Sequence, residues 1–357
     1  MISPNFWSGK KVMLTGHTGF KGAWLNLVLQ ELGAITHGYS LSAPSEPSLY
    51  EHLGGTEEFQ GSDSSDVRSL SQVTQFVSDF QPEVVFHLAA QSLVREGYRA
   101  PHLTMETNVM GSVNVMEALT GVPSIQAVVV VTTDKVYSDE SGSGPYTETD
   151  PLGGKDPYSA SKVATEFAIQ PYMVSLRAQQ GVGIATARAG NVVGGGDWSR
   201  DRLFADLGRA WSQGLALQVR NPGHTRPWQH VLDALGGYLI LAERLASDLT
   251  HPGAFNFGPI IDDSLTVERV LEIASEYWPG TSYESIKEVG APVESPALLV
   301  DSTRAREILG FLPRWNLRET VMRTVSWYRE FAQGASAREL CRADITDYLA
   351  LQRQDLV

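Results

Sequence analysis

The chain has 357 residues and a formal net charge of −13 at pH 7, with 28 Lys and Arg against 41 Asp and Glu. This acidity argues against nucleic acid or an anionic membrane surface as the main partner, and the sequence has no apolar run long enough for a membrane span. The single cysteine, Cys341, has no intramolecular disulfide partner, which favours a cytoplasmic protein.

The first predicted strand, Lys10–Thr15, leads directly into a glycine-rich turn. Residues Gly16–Gly22 read G-x-x-G-x-x-G and precede an amphipathic helix predicted over Ala23–Leu32. Glycines in this position let backbone N–H groups approach a dinucleotide pyrophosphate at the helix N-terminus. The alternative is a tight turn without a ligand. The cofactor contacts expected here are Gly16, Thr18, Gly19, Phe20, Lys21 and Gly22.

A second strand is predicted over Ile35–Tyr39. Nucleotide-binding folds often place an acid after this strand to hold the adenosine ribose. The residues that follow here, Ser40–Ser42, include neither an acid nor an arginine. Because an arginine would be needed to hold the 2′-phosphate of NADP, its absence favours NAD.

Two further segments border the expected cofactor site. Asp63 or Asp66 ends the predicted third strand, and Asp66 either accepts a hydrogen bond from the adenine amino group or caps the helix that begins near Leu70. A fourth buried strand is predicted over Val84–Ala90, and its small last residues leave room for a dinucleotide at the sheet edge. The cofactor contacts expected from these segments are Asp66, Val67, Leu88, Ala89, Ala90 and Gln91.

Helices are predicted over Pro101–Leu119 and from Tyr158 to about Gln180. Asn108, in the middle of the first helical segment, either braces the neighbouring strand or faces solvent. Each helix packs on the sheet with one face and has apolar residues left over, which predicts a homodimer through both. The alternative is that these residues belong to the core. They are Val109, Val113, Met116, Phe167 and Met173.

The apolar run Val128–Val131 predicts a strand buried on both faces. It ends in Thr132–Lys135, at the carboxyl edge where open α/β sheets bind ligands. Asp156-Pro157 then predicts a helix start, so that Tyr158 and Lys162 lie one turn apart on one face. A lysine ammonium there favours the phenolate, and Tyr158 would act as a base near neutral pH. The alternative is an ordinary pair of neighbours on a helix surface.

After a strand predicted over Ile184–Arg188, shorter segments rich in proline and tryptophan replace the regular βα alternation. This region holds four arginines, whose planar forks suit a diphosphate, although each is also typical of a surface charge. They are Arg202, Arg209, Arg220 and Arg226. Asn256–Pro259 is predicted to return to the sheet as a strand end, and helices are predicted over Leu265–Trp278, Asp301–Leu309 and Ser336–Gln354.

These elements predict an α/β protein with a Rossmann-type, doubly wound parallel sheet and a smaller, mixed C-terminal substrate-binding domain. We expect residues 1–190 to form the NAD-binding domain, with residues 230–257 returning to it. Residues 191–335 would form the substrate-binding domain, and residues 336–357 a C-terminal helix. No metal site is expected.

Several motifs together resemble the extended short-chain dehydrogenases/reductases that act on nucleotide sugars. They are Gly16–Gly22, Thr133-Asp134-Lys135, the Tyr158/Lys162 pair and Arg188-Ala189-Gly190-Asn191. Further stretches are similar to the 4,6-dehydratases of this family that act on a cytidine diphosphate sugar, and they are Gly194–Trp198, Arg226–Val231 and Gly38–Leu41 with Pro47–Leu49. Lys135 is typical of those enzymes, since dehydratases of other nucleotide sugars carry Glu there. Departures from the family pattern are Ser92 for Pro, Gly97 for Ser and Thr133 for Ser, the last of which keeps the hydroxyl.

The resemblance implies NAD as cofactor and CDP-D-glucose as substrate, with a 4-keto-6-deoxy sugar as product. Tyr158 would take the proton of the sugar 4-hydroxyl, Lys135 would remove the C5 proton, and a protonated Asp134 would protonate the departing 6-hydroxyl. Lys135 must be neutral for this role, and we expect burial to favour that form. The remaining residues implied are Thr133 and Lys162 for catalysis, and Asn191, Asp197, Trp198, Arg202, Leu203, Arg220 and Arg226 for the substrate.

Two alternative functions remain at this point. One is a 4-epimerase or 4-reductase that uses Tyr158 and NAD without elimination. The other is a non-catalytic sensor of a nucleotide sugar or NADH. The pair Asp134-Lys135 at the strand edge argues against the first, and the intact acid and base residues argue against the second.

Overall fold

The computed structural model describes residues 1–57, 59–62, 64–138, 144–247, 253–259, 265–286 and 299–354. Its strands are β1 (Lys11–Thr15), β2 (Ile35–Tyr39), β3 (Gly61–Ser62), β4 (Val84–His87), β5 (Ala127–Val131), β6 (Gly183–Ala189), β7 (Val192–Val193), β8 (Leu217–Val219), β9 (Thr225–Arg226), β10 (Gln229–His230), β11 (Gly253–Phe257), β12 (Leu265–Thr266) and β13 (Tyr283–Ser285).

The helices are α1 (Pro4–Trp7), α2 (Phe20–Glu31), α3 (Leu49–His52), α4 (Leu70–Phe80), α5 (Val94–Arg99), α6 (Pro101–Met105), α7 (Gly111–Leu119), α8 (Pro157–Gln180), α9 (Leu203–Ser212), α10 (Val231–Ser247), α11 (Val267–Tyr277), α12 (Leu317–Ala332) and α13 (Ala337–Gln354). Short 3₁₀ helices lie at Gly55–Glu57 and Asp134–Val136, and π-helical turns lie at Glu106–Met110 and Ala305–Leu309. No helix among the described residues is long and apolar enough to cross a membrane.

A parallel sheet organises the fold. Within the described ranges, seven strands pair in the order β11-β6-β5-β4-β1-β2-β3, and every pairing is parallel. The chain moves outward from β1 in one direction and then from β4 in the other, so right-handed crossovers place helices on both faces. The switch between β1 and β4 opens a crevice at the carboxyl edge. The predicted doubly wound parallel sheet is confirmed.

Each face of the sheet has its own apolar core. Val129 and Val131 of β5 pack into one core, whereas Val128 and Val130 pack into the other, as the two-residue period of a strand requires. Met116 is fully buried in the second core, so the prediction that it is left over for a subunit contact is wrong. Phe167 of α8 is 56% exposed.

Several predicted boundaries shift at the cofactor edge. Helix α2 begins at Phe20 rather than Ala23, because Gly19 adopts the extended conformation of a cap residue (φ −79°, ψ 165°). Lys21 therefore lies in the first helical turn. Strand β4 ends at His87, before the predicted end at Ala90, where the chain leaves the sheet edge.

The second half of the chain builds small sheets above the carboxyl edge. Strand β7 pairs with β10, β8 with β13, and β9 with β12. Leu265 and Thr266 pair with β9 instead of starting a helix, and the Thr266 side chain caps α11 by accepting from the Arg269 backbone N–H. Asn256 returns to the main sheet opposite Arg188. The division into domains at residues 190 and 335 remains a prediction.

Candidate active site

The glycine-rich turn brings β1, α2 and the end of β4 into close contact. Gly16 has φ +75°, and a β-carbon there would lie 2.7 Å from the Ala89 nitrogen. A β-carbon at Gly22 would overlap the Gly16 carbonyl. Among the described residues no side chain caps the N-terminus of α2, so its first N–H groups are available to an anion. The turn therefore fits the pyrophosphate of a dinucleotide such as NAD.

A chain of buried hydrogen bonds holds the floor of this turn. The Thr15 hydroxyl oxygen accepts from the backbone N–H groups of Leu88 and Ala89, both at 3.1 Å. Its own proton is then donated to Nδ1 of His87, 2.7 Å away, and His87 donates from Nε2 to the Ser112 hydroxyl at 2.9 Å. The residues expected at the cofactor edge, Leu88 and Ala89, are thus fixed to β1.

Asp66 lies between β3 and α4. Its carboxylate accepts from the Arg68 backbone N–H at 2.9 Å and pairs with the Arg68 guanidinium. Ser69, not Asp66, is the N-cap residue of α4, so the capping alternative for Asp66 is wrong. Asp66 and Val67 as adenine contacts remain a prediction, and Asp63 lies outside the described residues.

Asn108 is buried and braces the segment that follows β4. Its side-chain oxygen accepts from the Gln91 backbone N–H at 2.8 Å, and its amide donates to the Gln91 carbonyl at 3.0 Å. The same amide donates to the Ser161 hydroxyl on α8 at 2.8 Å. Asn108 therefore ties Gln91, an expected cofactor contact, to the helix that carries Tyr158.

Helix α8 begins as the sequence predicts. The Asp156 carboxylate accepts from the backbone N–H groups of Tyr158 and Ser159 at 2.9 and 3.0 Å, and Pro157 occupies the first helical turn. Lys162, one turn after Tyr158, donates from Nζ to the Val131 carbonyl at 3.0 Å. The cap thus sets the start of the helix so that Tyr158 and Lys162 face the end of β5.

Burial dominates the electrostatics of this pair. It raises the pKa of Tyr158 to about 12, with a hydrogen bond to Thr133 acting in the opposite direction. Burial also lowers the pKa of Lys162 to about 8, and the Glu166 carboxylate opposes that shift. The direction for Tyr158 is opposite to the lowering predicted from the Tyr–Lys spacing, because burial disfavours the phenolate.

Thr133, Asp134 and Lys135 lie at the carboxyl end of β5, beside Tyr158. The Thr133 hydroxyl donates to the Asp134 carboxyl at 3.0 Å. Burial raises the pKa of Asp134, with the Lys135 charge acting against it. A raised pKa suits a proton donor.

The side chain of Lys135 is exposed, so the expectation that it is buried is wrong. Residues Asp134–Val136 form one tight turn, whose successive side chains point in three different directions. Because Asp134 and Val136 are both buried, the Lys135 side chain is directed to solvent.

Lys21 extends from the first turn of α2 towards the same centre. Burial lowers its pKa to about 8, and the charges of Arg202, Asp134 and Lys162 also act on it. Its Nζ lies 3.5 Å from the Tyr238 hydroxyl. The glycine-rich turn and the catalytic candidates therefore form one charged cluster.

Two of the residues predicted to bind substrate join this cluster. Arg202 donates from Nη1 to the Asp197 carboxylate at 3.0 Å, and the charge of each acts on Lys21. Asp197 also accepts from the Ser199 backbone N–H at 3.0 Å. The adjacent Trp198 is buried, and its ring meets Tyr328 edge-on at 5.2 Å.

The other predicted substrate residues occupy loops and element ends near the small sheets. Arg220 donates to the Asp201 carboxylate at 2.9 Å, and Arg226 donates to the Thr225 carbonyl at 3.0 Å. Leu203 begins α9, and Asn191 has φ +48° at the end of β6. Arg209 donates to the Trp198 and Ser199 carbonyls and thereby holds their loop.

Sequence reasoning missed a buried ion pair behind Lys162. Glu166 and Arg188 join at 2.9 Å with side chains only 5% and 4% exposed. The signal was available for Glu166, which continues the Tyr158/Lys162 face of α8 by one more turn. Gly190 was named only as part of a family motif, and its contact was missed: a β-carbon there would overlap the Asp134 carboxyl.

Comparison with known proteins places this site in context. Residues 12–258 match the model of the NAD dependent epimerase/dehydratase family. A CDP-glucose 4,6-dehydratase of Salmonella typhimurium is 41% identical over 356 residues, covering 98% of this chain and 99% of that protein.

Solved structures share the fold. The UDP-glucose 4-epimerase of Thermotoga maritima, determined with UDP-glucose, has a TM-score of 0.77 at 21% identity, covering 90% of this chain and 99% of its own. The dTDP-glucose 4,6-dehydratase of Bacillus anthracis, determined with NAD, has a TM-score of 0.75 at 18% identity, covering 92% of this chain and 100% of its own.

Proposed function

Because this chain belongs to the NAD dependent epimerase/dehydratase family, we propose that it converts CDP-D-glucose to CDP-4-keto-6-deoxy-D-glucose and water. The substrate follows from the 41% identity to a CDP-glucose 4,6-dehydratase over nearly the full length of both proteins. The family assignment confirms the resemblance seen in the sequence motifs, and NAD is the cofactor of that family.

The glycine-rich turn Gly16–Gly22 would hold NAD, which would supply the hydride acceptor for C4 and the hydride for C6, and its positive nicotinamide ring would favour the Tyr158 phenolate. Tyr158 takes the proton of the 4-hydroxyl. Lys162, fixed to the Val131 carbonyl, orients α8 and contributes a second positive charge. Thr133 is hydrogen-bonded to Tyr158 and would therefore lie beside the same 4-hydroxyl of the sugar.

Elimination uses the turn at the end of β5. A 4-ketone acidifies the hydrogen on C5, which Lys135 removes. Asp134 would then donate a proton to the departing 6-hydroxyl, and the burial that raises the pKa of this carboxyl favours its protonated form. Asn191, Asp197, Trp198, Arg202, Leu203, Arg220 and Arg226 are the residues proposed to hold the nucleotide sugar.

The observation that carries this function is the position of Asp134 beside the tyrosine base. Thr133 donates a hydrogen bond to Asp134 and is also hydrogen-bonded to Tyr158, which supports a single site for the acid and the oxidation base. A 4-epimerase or 4-reductase needs Tyr158 but no acid for a 6-hydroxyl. A sensor of nucleotide sugars needs neither the acid nor the base.

The test compares CDP-, UDP-, GDP- and dTDP-glucose as substrates. The 4-keto-6-deoxy product is followed by its absorbance in alkali. We expect turnover to be fastest with the CDP sugar. A preference for any of the other three contradicts cytosine as the nucleobase of the substrate. An epimerised product without dehydration contradicts the proposed dehydratase reaction.

We also propose a homodimer that forms through the segment Pro101–Leu119 and α8. Exposed apolar side chains on both support it, namely Leu103, Met110, Phe167 and Val174. Phe167→Asp should yield monomers by light scattering, whereas Leu215→Asp, at an exposed leucine elsewhere, should not. A monomeric mass for the unaltered protein at micromolar concentration contradicts this proposal.

We also propose a cytoplasmic location, since the buried free thiol of Cys341 fits a reducing compartment.

A further inference from the structure

A buried ion pair connects α8 to the end of β6. Arg188 donates from Nε and Nη2 to the two oxygens of Glu166 at 2.9 and 3.0 Å. Burying two charges costs several kcal/mol for each ion unless their hydrogen bonds are satisfied. The carboxylate also accepts from the hydroxyls of Thr132 at 2.6 Å and Thr186 at 2.9 Å. The pair is therefore a fixed point between helix and sheet.

Arg188 uses its remaining group to hold Tyr137. Nη1 donates to the Tyr137 hydroxyl at 3.0 Å, and the guanidinium carbon lies 5.1 Å from the centre of the same ring. Tyr137 immediately follows the turn Asp134–Val136. The arginine thus reaches from Glu166 on α8 to the segment that carries the proposed acid and base.

The donor and the acceptor of each hydrogen bond from Arg188 through Tyr137 to Asn256 are determined. The Tyr137 hydroxyl accepts from Arg188, so it donates to the side-chain oxygen of Asn256 at 2.6 Å. The Asn256 amide donates to the carbonyls of Tyr146 and Asp301 at 2.9 and 3.1 Å, which fixes its orientation. Removing the Tyr137 hydroxyl leaves an arginine donor and an amide oxygen buried without this partner.

We propose that Tyr137 is a positioning residue that holds the Asp134–Val136 turn at its working distance from α8, and that it serves elimination and not the oxidation at C4. This inference rests on the proposed function. The oxidation residues have anchors of their own, because Asp156 caps α8 and Lys162 binds the Val131 carbonyl. The Asp134–Val136 turn is held through the side chain of Tyr137, the residue that follows it.

The experiment compares Tyr137→Phe with Tyr172→Phe, which removes a hydroxyl hydrogen bond to Glu117 on the outer side of α8. In Tyr137→Phe we expect hydride transfer at wild-type rate. Exchange of the C5 hydrogen with deuterated water should be slower by ~10–100-fold, the loss typical of a misplaced catalytic group. The Michaelis constant should be unchanged. Tyr172→Phe should match the wild type in each measurement.

Hydrogen exchange provides a readout that does not depend on turnover. Backbone amides of residues 133–137 should exchange faster in Tyr137→Phe than in Tyr172→Phe. If Tyr137→Phe folds poorly, Arg188→Lys replaces it, since it keeps the charge beside Glu166 and loses the bond to Tyr137. Equal slowing of oxidation and elimination, or no slowing of either, overturns the positioning role. A wild-type protein that does not dehydrate CDP-D-glucose overturns the proposed function instead.

Discussion

The Asp134 carboxyl packs directly against the Cα of Gly190, so closely that a β-carbon at position 190 would overlap it. Gly190→Ala should therefore displace Asp134 from the site and lower kcat by ~10²-fold, as a misplacement of about an ångström does elsewhere. Steady-state kinetics with CDP-D-glucose measure this effect. Gly223→Ala is the matched control, because a β-carbon there meets open space. A fully active Gly190→Ala would contradict the role of Asp134.

Local signals in the sequence were sufficient for the elements that position the site. The start of α8 depends on contacts two and three residues apart, from Asp156 to Tyr158 and Ser159, and its prediction is confirmed. The valine run of β5 likewise predicts a strand buried on both faces, and it is buried along its whole length. Such features follow from short-range geometry alone.

Features that depend on distant partners could not be read from the sequence. Glu166 meets Arg188 only after β6 is placed beside β5, and Met116 is buried only because α7 packs against α4 and α8. The exposure of Lys135 depends on the rotation of one tight turn. The pKa of Tyr158 rises because the whole fold buries it, which the spacing to Lys162 does not reveal.

Lys162→Met should abolish turnover and raise stability at neutral pH. The pKa of this amine falls from 10.5 to about 8 on folding because of burial, a difference equivalent to roughly 3 kcal/mol. Below pH 8 the ammonium is charged in both states, so the folded protein bears the full cost of burying it. Between pH 8 and 10.5 the folded state has released a proton that the unfolded chain keeps, and stability rises with pH.

Chemical denaturation of wild type and Lys162→Met across this pH range tests whether Lys162 lowers the free energy of unfolding. The difference in the free energy of unfolding should be largest below pH 8 and should shrink as the pH approaches 10.5. A difference that grows with pH would mean that Lys162 stabilises the fold by its charge.

Arg226→Ala should raise the Michaelis constant for CDP-D-glucose with little change in kcat. Arg226 lies in β9, next to Pro227, and its guanidinium is held near the Thr225 carbonyl. Loss of a charge-assisted contact to the diphosphate is worth about 1.5–3 kcal/mol. Arg269→Ala, at an exposed surface pair with Glu272, is the control. An unchanged Michaelis constant would assign Arg226 a structural role.

Lys135→Ala should stop the reaction after oxidation at C4. In the proposed mechanism Tyr158 takes the proton of the 4-hydroxyl, so the oxidation requires no second base. The C5 proton needs one, and Lys135 follows directly after the proposed acid, Asp134. Loss of a general base costs ~10²–10⁴-fold in rate. The near-ultraviolet absorbance of reduced nicotinamide should therefore build up on the enzyme while the C5 hydrogen fails to exchange with deuterated water.

Lys135→Ala should leave the stability of the fold unchanged, because truncating an exposed side chain leaves no cavity. Thermal unfolding should accordingly match the wild type. Lys135→Glu should keep part of the activity, since the family resemblance implies a Glu at this position in dehydratases of other nucleotide sugars. Near-normal turnover by Lys135→Ala would assign the C5 base to another residue. A failure to form reduced nicotinamide at all would place Lys135 in the oxidation step instead.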